Sequence, residues 1–296
     1  HDLLPRGGFV SDLRGGAGGL RLGLDAAGLA HAAPIDGSRV AVFGGVYNNA
    51  LSLAAVIADA RRRGASRLYC LGDMGGFGPH PERVFAPLVD ADVVCIQGNY
   101  DHSVGNDLDD CACGYTDPRD NHYAQVSYDY TVTRTSAASK AWLRALPPSL
   151  RLNWGGRRVL LAHGSPRRTN EFLWESLVSD AFLGRLLAEH DADVLFVTHT
   201  GLHWARELDA RRGVVNVGAI GRPANDGRTE VWYSLVEFDD AALRSAHIPV
   251  AYDHAKLAEQ MRAERLPDLF VETIVTGWWT TCLEILPAKE RARGRY

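Results

Sequence analysis

Arg67-Leu68-Tyr69-Cys70-Leu71-Gly72-Asp73 decides how the rest of this chain is read. A short, largely apolar run with a β-forming aromatic predicts a buried strand, and Gly-Asp at its end predicts a tight turn presenting a carboxylate. The pattern recurs on both sides. Upstream, Arg39–Phe43 reads as a strand, and the turn Gly44–Asn49 leads into a helix expected over Ala50–Arg63. There Leu53, Val56, Ile57 and Ala60 fall at i, i+3, i+4 and i+7, with Asn49 as N-cap and Gly64 as the stop. Downstream, a helix opens at Pro81 and runs to about Ala91, and the strand Val93–Gln97 ends in Gly98-Asn99. A helix over Ser136–Leu146 precedes the strand Arg158–Ala162, which ends in His163-Gly164. A helix over Asp180–His190 precedes Asp193–Val197, which ends in Thr198-His199. Val214–Val217 and Val231–Phe238 are further strands, and a helix follows over Asp253–Arg265. Strands alternating with helices predict an α/β domain with parallel pairing in part of its sheet, where ligands gather beyond the carboxyl ends of strands.

The 296 residues are 46% hydrophobic and 23% charged, with a formal net charge of −4 and a pI near 6.3. That balance argues against a nucleic-acid groove or an anionic membrane as partner. No apolar run approaches the roughly 18 residues of a membrane-spanning helix. The chain opens with His rather than Met, which leaves a trimmed leader open. Five unevenly spread cysteines do not make a secreted disulfide framework, so the expected compartment is reducing and cytoplasmic.

Asp73, Asn99, His163 and His199 each fall within about two residues of the end of a different strand. Singly, each has a commoner structural reading: a turn former for the Asp, a satisfied strand-end residue for either His. Together they offer a carboxylate oxygen, an amide oxygen and two imidazole nitrogens. Such a mixed set suits Mn, Fe, Co or Zn better than Ca or Mg.

Here a family resemblance enters. Gly72-Asp73 with Gly75-Gly76, Gly98-Asn99-Tyr100-Asp101, Ala162-His163-Gly164 and Thr198-His199-Thr200 resemble, in order, the motifs of the calcineurin-like metallophosphoesterase superfamily. The likeness runs from about Arg39 to Pro223, and its last segment, Asn216–Pro223, is similar to that of the bacterial phosphodiesterase branch. It implies a two-sheet αββα sandwich with the metal site at the strand ends. It also implies hydrolysis of a phosphate mono- or diester on a phosphorylated small molecule, with Asp73, Asn99, His163 and His199 holding one divalent transition metal. Family members normally bind two. The other metal's Asp and His are replaced by Gly45 and Tyr47, and the last His of the final motif by Gly201. All three departures strike one shell, so a second metal is doubtful and one ion, or none, is expected. The competing expectation is a rebuilt shell, with Tyr47 binding as phenolate and His203 swinging in.

The slot after Asn99, a His in many members, is Tyr100 here. His102 is the candidate general acid, with Asp101 and Tyr47 completing the catalytic set. Arg222 is the candidate phosphate fork, helped by backbone amides around Gly218, with Asn48 and Asn216 as further substrate-binding candidates. Residues 1–37 read as an N-terminal arm, 38–250 as the catalytic-type domain and 251–296 as a C-terminal extension. The insertion 106–121, carrying Cys111-Ala112-Cys113, reads as a lid, its thiols a chelating pair, a redox pair or two loop cysteines. Trp278-Trp279 reads as core or a dimer contact rather than a substrate platform, and a homo-oligomer stays open. Rival functions are oxidative Fe or Mn chemistry on the same scaffold and a non-catalytic sensor of a phosphorylated ligand.

Overall fold

The apolar alternation of the strands buries both faces of two sheets. Val40, Val42, Tyr69, Leu71, Val94 and Ile96 from one sheet meet Leu152, Trp154, Val159, Leu161, Val194, Phe196 and Val215 from the other. The structure, a computed structural model, describes residues 22–24, 30–32, 39–239 and 242–295. Among them a five-stranded sheet runs Leu243–Val250, Val231–Phe238, Arg39–Phe43, Arg67–Cys70, Val94–Cys95. A seven-stranded sheet runs Leu22–Leu24, Ala30–Ala32, Ser149–Trp154, Arg157–Ala162, Val194–Val197, Gly213–Val217, His203–Glu207. The helix Ala50–Arg62 covers the outer face of the first sheet and the helix Asp180–Glu189 that of the second. This is the αββα sandwich the resemblance implied. Of the arm expected over 1–37, only two short strands fall among the described residues.

Most elements form where their local chemistry placed them. Asn49 caps Ala50–Arg62 by accepting from the Ser52 amide at 3.0 Å, and Leu53, Val56 and Ala60 form its buried stripe. The expected helix after Pro81 begins as a 3₁₀ turn, Pro81–Val84, before Phe85–Asp90. The largest surprise is the helix Pro118–Arg134, whose first turn takes up the end of the expected insertion. It opens on an Asp117 cap with Pro at its first position and buries Ser127, Tyr128, Tyr130 and Thr131 as one face. The C-terminal helices His254–Ala263 and Asp268–Thr276 pack Leu257, Met261, Phe270 and Ile274 against Phe77 and Tyr130. They thereby wall off one side of the strand-end loops.

Arg39–Phe43, Arg67–Cys70 and Val94–Cys95 run parallel, as do Arg157–Ala162 and Val194–Val197. Their carboxyl ends gather at one edge of the sandwich. The loops there touch so closely that Gly72, at φ +97°, could carry no Cβ: one would lie 2.4 Å from the Gly98 nitrogen. Backbone contact between these turns brings Asp73 beside Asn99.

Candidate metal centre

The Asp73 turn is set by Asp101. Its buried carboxylate accepts the backbone amides of Asp73 at 2.7 Å, Met74 at 2.9 Å and Gly98 at 2.8 Å. Burial, and then the charge of Asp73, lift the Asp101 carboxyl to about 6, against the pull of those amides. With both oxygens committed to backbone, Asp101 is a positioning residue and not the catalytic group expected of it. The Tyr100 amide in turn donates to Asp73 Oδ1 at 3.1 Å, leaving Oδ2 free to face the histidines.

Each histidine has one ring nitrogen tied to backbone and the other turned inward. His163 Nδ1 donates to the Leu71 carbonyl at 2.7 Å, and His199 Nε2 donates to the Cys113 carbonyl at 3.1 Å. These bonds fix the tautomers and aim His163 Nε2 and His199 Nδ1 at one another, 3.1 Å apart, with His163 Nε2 3.2 Å from Asp73 Oδ2. Among the described residues, Asp73, His163 and His199 are the cluster whose ligand atoms all lie within 4.8 Å of one another. Asn99 follows the same plan: its Nδ2 donates to the Cys111 carbonyl at 2.9 Å, while its buried Oδ1 has no partner.

Although it is buried, His163 is pushed up by Asp73, so in the free protein one proton on its inner nitrogen links Asp73 Oδ2 and His199 Nδ1, while the buried Asn99 Oδ1 is left without a partner; a cation would take the place of that proton. The residues fit a transition-metal ion. Burial would raise the Asp73 carboxyl, but His163 outweighs it and holds the group below the usual range. Burial, followed by the charge of His163, drops His199 to about 3, so its inner nitrogen stays unprotonated.

Beside this cluster lies an open cavity with about 70 Å³ of room for the centres of water-sized groups. Asp73 and His199 reach it, and so do Tyr47, Tyr100, Phe172, Trp174, Arg222 and Trp279. The remaining expectations sort by position. Arg222 and Tyr47 line the cavity, and burial, opposed by Arg222, pushes the Tyr47 phenol up, keeping it protonated. His102 is exposed beside Asn106 and does not line the cavity, so it is not placed to serve as its acid. Asn48 spends its Nδ2 on the Gly78 carbonyl at 2.9 Å and Thr131 Oγ1 at 3.1 Å. Asn216 spends both polar atoms on Thr200 and the Gly218 amide. Both asparagines are buried struts outside the cavity lining, not phosphate ligands.

The neighbouring shell is filled rather than rebuilt. The Tyr47 Cζ and Oη lie 2.9 and 3.0 Å from where a Gly45 Cβ would stand, and the Ala219 Cβ lies at 2.8 Å. The direction in which a side chain at Gly201 would project is taken by Trp279 and Arg222. His203 does not swing in; its ring stacks on Trp232 at 4.2 Å. Cys111 and Cys113 are bonded to each other, which removes them as a chelating pair. Their loop contributes backbone carbonyls to Asn99 and His199. Trp279, expected as core or dimer contact, is buried yet forms a cavity wall, and Tyr115, Cys282 and Phe172 are wall residues the sequence did not single out.

Residues 39–241 match the family model described as the calcineurin-like phosphoesterase superfamily domain. The crystal structure of a metallophosphoesterase from Sphaerobacter thermophilus is 25% identical, with a TM-score of 0.64 over 82% of this chain and all of that one. The hypothetical protein PH1004 from Pyrococcus horikoshii OT3 shares the fold, at 22% identity and a TM-score of 0.67 over 82% of this chain and 99% of its own. The uncharacterized protein MJ0912 of Methanocaldococcus jannaschii is 25% identical over 256 residues, 81% of this chain and 98% of its own length.

Proposed function

This chain belongs to the calcineurin-like phosphoesterase superfamily, and from that premise we propose that it hydrolyses a phosphate ester with a single transition-metal ion held by Asp73, His163, His199 and Asn99. The observation that carries the reading is the inward pair of imidazole nitrogens, 3.1 Å apart beside Asp73, each fixed by a bond from its other nitrogen to backbone. When bound, such an ion, Mn, Fe, Co or Zn by donor type, supplies Lewis acidity toward a phosphoryl oxygen and acidifies water.

The chain's own residues then divide the remaining work. Asp101 fixes the turn that aims Asp73. The protonated Tyr47 phenol stands in the cavity as a hydrogen-bond donor for a phosphoryl or leaving-group oxygen. Arg222 supplies a permanent positive charge to the phosphate. The aromatic walls and the loop around Cys111–Cys113 limit water around the reacting group, which gives the expected lid its role.

The test combines metal analysis with turnover of p-nitrophenyl phosphate and bis-p-nitrophenyl phosphate. One ion per chain and hydrolysis that disappears in Asp73→Asn and His163→Asn are expected. Fully loaded protein that turns over neither ester would overturn the hydrolase reading. Retained metal in both variants would overturn the ligand assignment.

A further inference from the structure

Arg222 is a cation without an anion. It is 7% exposed, its Nε is buried without a hydrogen-bond partner, and it forms no ion pair with a carboxylate among the described residues. Its guanidinium lies 3.6 Å over the Trp279 ring, with the Tyr47 and Phe77 rings each 5.8 Å away. The stacking partner is itself pinned: the Trp279 indole donates to the Pro223 carbonyl at 2.7 Å and its amide donates to Asn225 Oδ1 at 2.8 Å. The polar groups that feel Arg222 most directly are the Cys282 thiol and the phenols of Tyr47 and Tyr115, and burial pushes all three toward their neutral forms; the carboxylate in the same cavity, Asp73, is engaged by His163 and the Tyr100 amide and forms no ion pair with Arg222. A desolvated, rigidly held guanidinium with neutral neighbours is costly in the free protein, and an incoming anion offsets that cost.

The cavity continues from Arg222 along flat rings. Phe172 stacks on Trp174 with centroids 5.0 Å apart and a 4° interplanar angle, and Tyr115 stacks on Phe172 at 5.9 Å. Phe77 stacks on Phe270 at 4.8 Å on the side closed by the C-terminal helices. One fork-shaped cation and several planar walls recognise an anionic head joined to a planar apolar body.

We propose that Arg222 and these rings form a metal-independent subsite for the phosphoryl group of an ester whose organic part is flat and apolar. The inference deepens the phosphoesterase reading and rests on it for the identity of the anion, but the subsite itself requires no ion at Asp73. Phenylphosphonate, an unhydrolysable probe, tests it by calorimetry on the full chain treated with chelator, with tryptophan emission as a second readout. Binding is expected without metal, about 3- to 10-fold tighter than methylphosphonate because of ring stacking. Arg222→Gln should weaken it by about 10- to 100-fold, the span of a charge-assisted hydrogen bond, while leaving Mn²⁺ binding at Asp73 intact. Arg222→Lys, which keeps the charge but loses the fork, guards against a folding defect in the first variant and should fall between. Phenylphosphonate that binds only after metal is added, or binds equally to Arg222→Gln, would overturn the subsite. Equal affinity for methylphosphonate would overturn the planar body, and equal affinity for benzoate the phosphoryl head. Phosphonate binding to a protein that takes up no metal would overturn the one-ion hydrolase and leave this inference standing.

Discussion

Gly45→Asp puts the missing carboxylate back at the turn after Arg39–Phe43, and its outcome measures how far the neighbouring pocket has been rebuilt. The backbone at Gly45 cannot retreat: its amide donates to the Gly72 carbonyl at 2.9 Å, and its carbonyl accepts the Gly221 amide at 2.7 Å. Its φ of +55° is left-handed, which costs a side-chain-bearing residue about 1–2 kcal/mol. The new Cβ would stand 2.8 Å from the Ala219 Cβ, a backbone-anchored atom, and 2.9 Å from the Tyr47 ring, which can turn. Overpacking of this kind costs about 1–3 kcal/mol, so the variant should lose about 2–5 kcal/mol. For a domain of this size that is a fall of about 5–15 °C in Tm. Paired with Tyr47→His, part of the loss should return, because only the Ala219 contact persists, and the two changes should be non-additive. Thermal unfolding followed by circular dichroism gives the stability, and metal analysis gives the stoichiometry, expected to stay at one ion per chain. A Gly45→Asp protein that melts with the parent and carries two ions would refute the reasoning.

Two further outcomes follow from the same geometry. Cys111→Ala with Cys113→Ala should lower Mn²⁺ affinity by about 10-fold or more, because the loop whose carbonyls hold Asn99 and His199 loses its clasp; unchanged affinity would show that the loop is held elsewhere. His203 is half-buried against Trp232 and His247, and burial, then the charge of His247, lowers its imidazole to about 4. Above about 6.5 native and unfolded chains both carry it neutral; between about 6.5 and about 4 only the unfolded chain takes the proton, so stability falls as pH falls. His203→Phe should flatten that part of the denaturation profile relative to the parent, and an identical slope in both proteins would dismiss the assignment.

The strand ends were legible because two short-range rules coincide there: an apolar run that must be buried, and a Gly or Thr turn that must stop it. Asp73, Asn99, His163 and His199 needed nothing more to be found. The helix Pro118–Arg134 escaped because its Val, Thr and Tyr residues have weak helical preference, and it forms by packing Tyr128 and Tyr130 against distant elements. The strands Ser149–Trp154 and Leu243–Val250 escaped although each pairs in a local antiparallel hairpin, Trp154 opposite Arg157 and Phe238 opposite Leu243, and Gly155-Gly156 is a turn signal that the sequence does carry. Asp101, Asn48 and Asn216 carry the right side chains near the right motifs, yet Asp101 is taken up by backbone amides and the two asparagines direct their amide groups to Gly78, Thr131, Thr200 and Gly218, and local sequence does not say which way an amide turns. Trp279 and Cys282 reach the cavity from about 60 residues beyond Arg222, a distance across which no periodicity speaks. The carbonyls of Cys111 and Cys113 act through backbone atoms that every residue has, so the thiols drew attention for the wrong chemistry.

On the proposed function, two positive centres would flank one cavity, and they would differ in kind. The ion expected at Asp73 is exchangeable, whereas the charge on Arg222 is covalent and permanent. Tyr47, Trp279 and Arg222 fill the ground where the family resemblance leads one to expect ligands for a second ion, so the charge there is kept while its dependence on metal supply is removed. A guanidinium can orient and neutralise a phosphoryl group, but it cannot acidify water as an ion does. Substrate capture and bond cleavage should thus separate: withdrawing metal abolishes turnover while the arylphosphate head stays bound at Arg222. In a two-ion site, where metal holds the substrate as well as activating water, capture and cleavage fail together.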